Sequence, residues 1–186
     1  IQDYKTKAHE SLKLRNRFRD AANAALSNPT AKGEENAALK TPVVICFDVE
    51  DYTSPESVGM DDIPKWLAEI MTEEGVTGTF FVIGEKARMM EKRGRTDVIE
   101  AMSKHDIGSH SNYGSIHPTI TEILEEESWN PGFNRMLKDE SAGIKDLQRI
   151  FGQKPVTLGR HGGSYGPQLV AALSNMNVGY VYSPVG

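Results

Sequence analysis

The spacing of apolar and polar positions changes character near residue 42. Before that point, "YKTKAHESLKLRNRFRDAANAALS" (residues 4–27) is rich in helix formers and holds no Pro or Gly. It predicts a polar, charged helix that needs a surface to lean on. "NPTAKGEENAALKTP" then reads as a linker. Residues 1–40 are therefore taken as an N-terminal helical extension and linker, packed on the main body or used as an oligomer contact.

From residue 41 to 186 short apolar runs alternate with helical periods. "PVVICFD" is a β-rich run bounded by polar residues, which predicts a buried strand. "DIPKWLAEIMTEEG" opens on Asp and Pro and closes on Gly, with Ile63, Trp66, Leu67, Ile70 and Met71 at helical spacing. "TGTFFVIG" predicts a second strand, and "EKARMMEKRGRTDVIEAMSKH" one helix or two broken near Gly94. "DIGSHS" predicts a short third strand running into a loop. A helix over 133–151 stops at Gly152, "PVTLGR" is a fourth strand, "GPQLVAALSNMN" a helix and "VGYVYSP" a fifth strand. Such alternation builds βαβ units around a parallel sheet or barrel. An eight-unit barrel takes about 250 residues, so about five units form an open sheet or part of a barrel.

Bulk properties narrow the function classes. The net charge of −5, with no basic block interleaved with aromatics, argues against a nucleic-acid partner. No apolar run approaches the roughly 18 residues of a membrane span, so no transmembrane segment is expected. The lone Cys46 forms no internal disulfide, and its place inside a strand suggests a buried thiol. The chain opens on "IQDYKTK" without Met. A removed signal peptide, and hence a secreted or periplasmic location, is the expectation.

Sites in parallel α/β folds lie at the carboxyl ends of the strands. There the chain places "FDVEDY", "SHSNYGSIH" and "GRHGGSYG", after the first, third and fourth strands. Strand alternation puts Asp48 and Glu50 on one face and Asp51 on the other. Two carboxylates so close need a cation or proton between them; they form a general base beside a metal-binding acid, or a solvated strand end. His110 and His117 are too far apart to share an ion on a helix, with about 10 Å of rise between them. Pro118 and Gly114 allow a loop that brings them together; otherwise both serve local packing. Arg160 leaves its strand toward the same rim, where a guanidinium can fix and acidify a carboxylate.

These segments together resemble the polysaccharide deacetylase family (carbohydrate esterase family four, the NodB-like domain). The likeness runs from about residue 42 to 184, through "FDVEDY", "TGTFFVIGE", "HDIGSHS" and "GRHGGSYG". It implies a distorted (β/α) barrel, here incomplete, and a metal-dependent hydrolase that removes N-acetyl groups from a polysaccharide or related amidated sugar. By this resemblance Asp48 is the general base and Arg160 orients it. Glu50 (or Asp51), His110 and His117 hold a divalent metal, zinc in the first instance. Tyr113, His161 and Tyr165 contact the carbohydrate. Two departures stand out: Gly114 occupies the position of the family's second histidine, and the later motifs, with the histidine used as general acid, are not in this sequence. They leave two other readings open, a degenerate domain that binds glycan or a protein partner without turnover, and a small-molecule C–N hydrolase.

Overall fold

Five short strands lie side by side in chain order: β1 (Cys46–Val49), β2 (Thr79–Val82), β3 (Asp106–Ser109), β4 (Thr157–Gly159) and β5 (Tyr180–Tyr182). Every pairing is parallel. Helices fill each crossover: α1 (Asp62–Glu73), α2 (Gly84–Lys92), α3 (Thr96–Met102), α4 (Ile120–Glu125), α5 (Trp129–Phe151) and α6 (Pro167–Asn175). Sequential parallel strands joined by helices are what repeated βαβ units give, and the sheet forms part of a (β/α) barrel wall. This computed structural model describes residues 43–114, 116–162 and 164–182, all within the unit Val43–Gly186. The helix expected over 4–27 and its linker lie outside the described residues.

Strand alternation sorts the two faces. Phe47, Val49, Phe80, Val82 and Ile107 turn outward onto Ala68, Ala87, Met90, Met102, Leu147 and Phe151 of the helices. Leu158 does the same against Ile144, Leu169 and Leu173. The opposite face carries Asp48, Phe81 and Gly108 in one row, by the register Asp48↔Phe81 and Phe81↔Gly108. Phe81 fills this inner face and is 2% exposed. A Cβ built on Gly108 would stand 2.4 Å from the Phe81 ring, and one on Gly159 2.6 Å from it. Both glycines are thus room made for one aromatic side chain. The ring also stacks on Tyr182 at 5.8 Å between centroids.

Several helix boundaries differ from those the sequence predicts. The second helix is indeed two, divided at Gly94 with φ +68°. The helix expected over 133–151 begins at Trp129. Pro131 sits in its first turn, where the missing N–H has no intrahelical partner to lose. The short α4 was not expected; a Thr119–Glu122 capping box starts it. On α1 the buried positions are Pro64, Ala68 and Met71, whereas Ile63, Trp66 and Ile70 are exposed. Gly143 lies inside α5 because Asn112 passes over it: a Cβ there would come within 3.0 Å of Asn112 Oδ1.

Two buried polar groups brace the loops that leave β1 and β3. Lys86 on α2 donates to the Asp61 carboxylate and to the carbonyl of Asp51, and Arg93 donates to Asp61 and to the carbonyl of Ser54. Burial alone would raise the Asp61 carboxyl; the hydrogen bonds from Lys86 and Arg93 outweigh it and hold it below the usual carboxylate range. Glu140 on α5 lies under the other loop, where Oε1 accepts from the Asn112 N–H and Oε2 is buried without a partner among the described residues. Burial pushes this carboxyl up to about 7.

Two predictions follow from this packing. Gly159→Ala should destabilise the fold by about 1–3 kcal/mol through overpacking against Phe81. Combination with Phe81→Leu should recover part of that loss, read as a favourable coupling in a double-mutant cycle of urea unfolding. For Glu140, the unfolded chain releases its proton near the ordinary carboxyl value while the native state keeps it to about pH 7. The native state therefore binds the extra proton, and stability falls as pH rises from about 4.5 to 7, by about 3 kcal/mol in all. Glu140→Gln should flatten that fall in unfolding curves taken across the same pH range.

Candidate active site

The described inner-face acids and imidazoles meet where β1, β3 and β4 end. Asp48 is the last inward residue of β1, its side chain 56% exposed, and Glu50 follows on the same side in the loop. His110 directly follows β3 and is 1% exposed. Its Nδ1–H donates to the carbonyl of Gly159 at 2.8 Å. That bond fixes the tautomer and turns the Nε2 lone pair to the site. Nε2 then faces Glu50 Oε1 at 3.0 Å and Asp48 Oδ1 at 3.9 Å.

His161 enters from β4. The turn after Arg160 folds back at once, with the Ser164 N–H donating to the His161 carbonyl at 2.8 Å and Gly162 at φ +45°. The imidazole of His161 lies 4.7 Å from that of His110, centroid to centroid. Its Nε2 is 3.3 Å from Glu50 Oε2, yet it is buried without a hydrogen-bond partner among the described residues. The contact is close in distance and wrong in direction for a hydrogen bond. Glu50, His110 and His161 each offer a ligand atom, all within 4.8 Å of one another. Two imidazole nitrogens and a carboxylate suit a divalent ion of the zinc type, and the stranded His161 nitrogen fits such an occupant.

The remaining expected residues are placed differently. His117 does not join the group: its side chain is 78% exposed, and Nδ1 pairs with the Glu122 carboxylate at 2.8 Å. Glu122 is the acid of the α4 capping box, so His117 is engaged at that helix end, apart from the group at the strand ends. Asp51, the alternative to Glu50, faces its own loop, accepting from the Ser54 hydroxyl and from the Thr53 and Ser54 N–H groups. The Ser54 bonds lead the effects that hold its carboxyl below the usual range. Arg160 makes no hydrogen bond or ion pair with Asp48 among the described residues; its guanidinium lies 5.8 Å over the ring of Tyr165. Tyr113 is exposed, its carbonyl held by the Tyr52 hydroxyl at 2.8 Å and its ring under Arg88. His105, the first histidine of "HDIGSHS", is structural: it accepts from the Gly78 N–H and donates to the Ala68 carbonyl. Cys46 is part-buried, and burial, then the Asp48 charge, raises its thiol, which keeps it a poor nucleophile.

The place of His161 beside His110 is an arrangement that spacing along the chain does not reveal. The signal lies in "GRHGG", a histidine two residues past the end of β4. Two open grooves flank Glu50. One, of about 260 Å³, runs over Asp48, Met60, Ile63 and Leu67. The other, of about 210 Å³, runs over Tyr52, Ile83, Tyr113 and Ile116.

Comparison with known proteins agrees with this architecture. Among solved structures, the chain is similar to a mutant of a carbohydrate esterase family four pseudoenzyme, described as having restored enzymatic activity, whose parent is from Bacillus anthracis. The TM-score is 0.55 at 17% identity, over 77% of this chain and 45% of that one. It is similar also to the peptidoglycan N-acetylglucosamine deacetylase Bc1960 (TM-score 0.53, 20% identity, 77% and 56% covered). A third is a family 4 carbohydrate esterase from Streptomyces lividans in complex with acetate (TM-score 0.52, 15% identity, 77% and 62% covered). At these identities the likeness is one of fold, and the chain spans about half the length of these relatives. No curated protein sequence matches it. Residues 35–181 match the description of polysaccharide deacetylase, which is most of the chain. The chain belongs to the polysaccharide deacetylase family.

Proposed function

We propose that this domain acts in the metal-dependent hydrolysis of N-acetyl groups on a polysaccharide or related amidated sugar. The observation that carries the reading is the meeting of Asp48, Glu50 and His110 at the carboxyl ends of β1 and β3, two strands on either side of β2. His110 is oriented by the Gly159 carbonyl, and its lone pair is aimed at a carboxylate that cannot donate to it. Two such groups facing each other at 3.0 Å need a cation or a proton between them, and the His161 nitrogen beside them, unpartnered among the described residues, favours the cation.

Glu50 and His110 are the residues that would hold a divalent ion here. Such an ion supplies Lewis acidity to the acetamide carbonyl and lowers the pKa of water. Asp48, more exposed and offset along the same face, would accept the proton of the attacking water at a carboxylate oxygen; its 3.9 Å approach to His110 Nε2 supports that role. Its carboxylate also keeps the site anionic, so that a cationic occupant is favoured over an anionic one. The grooves on either side of Glu50 are open and shallow, which suits a chain lying across the rim better than an enclosed small molecule. Tyr113 and the Arg160–Tyr165 pair offer rings and a charge to sugar faces and hydroxyls.

A binding-only domain is the second reading. Gly114 at the expected ligand position and the unpaired Arg160–Asp48 couple favour it. Acetate release from N-acetylated chito-oligomers and peptidoglycan fragments, measured with added Zn²⁺ and again with chelator, separates the two. The hydrolase reading expects release that chelation abolishes. In that assay Asp48→Asn should cut the rate by about 10²–10⁴-fold, the usual worth of a general base, while leaving saccharide binding and the unfolding transition near wild type. Absence of acetate under every condition, with glycan still bound, would leave the binding-only reading in its place.

A further inference from the structure

We infer that His161, at the end of β4, is the third protein ligand of the metal site. It takes the part that the loop after β3 leaves unfilled at Gly114. The inference rests on the metal-dependent reading above and deepens it.

Four observations converge. First, the ligand atoms gather at one place, all within 4.8 Å of one another, with Glu50 facing each imidazole through a different oxygen. Glu50 Oε1 lies 3.0 Å from His110 Nε2, and Glu50 Oε2 lies 3.3 Å from His161 Nε2. Second, the hydrogen bonds leave two needs unmet. The His110 ring has spent its N–H on Gly159, and the buried His161 Nε2 has no partner among the described residues. One imidazolium would satisfy the His110–Glu50 contact and still leave the His161 nitrogen stranded. A cation accepted by all three groups satisfies both at once.

Third, position 114 disfavours a side chain. Gly114 has φ +69°, a conformation that side-chain-bearing residues rarely adopt, and a Cβ built there would stand 2.3 Å from the end of the Ile83 side chain, which would have to shift. The same built atom would be 3.5 Å from His161 Cδ2. The ring of His161 therefore borders the space that a ligand from position 114 would enter. Fourth, His117 is turned to solvent and paired with Glu122. The ion's protein ligands then come from three different strand ends, β1, β3 and β4, with one residue from each.

The test uses the full chain, freed of metal and titrated with Zn²⁺ by calorimetry. Metal content is measured after dialysis, and the imidazole ligands are counted by X-ray absorption at the zinc edge. Wild type is expected to take one equivalent with two imidazoles. His161→Ala should weaken binding by about 100-fold or more and drop the count to one. His117→Ala should change neither, and circular dichroism with thermal unfolding of the metal-free proteins checks that the variants are folded. If His161→Ala binds as tightly as wild type, or wild type shows a single imidazole, the assignment of His161 is overturned and the hydrolase reading stands. If wild type binds no zinc, the assignment falls too, and the parallel acetate assay decides whether the hydrolase reading falls with it.

Discussion

The inner face of the sheet is organised by one aromatic ring that needs two glycines. Phe81 occupies the concave side, and only the absence of a Cβ at Gly108 and Gly159 leaves room for it. The third and fourth strands are joined by one register pair, Ser109↔Leu158. The His110 Nδ1–H to Gly159 carbonyl bond adds a second tie just beyond that pair. The same bare backbone that admits the ring thus presents the carbonyl that aims the histidine. Packing below and chemistry above share one residue, and neither can be altered alone.

A second constraint acts on the acids. The loop after β1 would be free to swing, since Asp48 and Glu50 are solvent-facing. The buried Lys86, clamped between Asp61 and the Asp51 carbonyl, holds that loop to α2 from behind, with Arg93 reaching the Ser54 carbonyl. Removing one member of such a pair strands the other charge in the interior, which costs far more than the pair itself contributes. Fixing the loop therefore draws on the rigidity of a buried ion network, while the carboxylates stay in contact with water.

Much of this was legible in the sequence, because it depends on local periods. Strand and helix alternation predicted five strands in order, and period-two alternation put Asp48 and Glu50 on a common face. The parts that were not legible depend on distant partners. Spacing along the chain left the pairing of His110 with His117 open, and the family resemblance made His117 the substitute ligand. The folded chain instead pairs it with His161, which the β3–β4 register brings to the same rim and no sequence interval reveals. Arg160 was expected on Asp48 and lies on Tyr165, a choice set by where a Gly-rich turn sends its side chain. Ile63, Trp66 and Ile70 showed a helical stripe, but α1 buries Pro64, Ala68 and Met71. Periodicity reports that a helix has an apolar side; neighbouring elements decide which side is covered.

The outer strands carry a consequence of their own. β1 and β5 do not pair with each other, and each has a free edge in the described sheet. Val43 and Val44 before β1, and Tyr180 and Tyr182 on β5, are all more than half exposed. An unpaired edge flanked by apolar side chains is a template for further strands. Within the described sheet, the two ends of the barrel wall are therefore where a further strand would find backbone groups to pair with, one beyond β1 and one beyond β5.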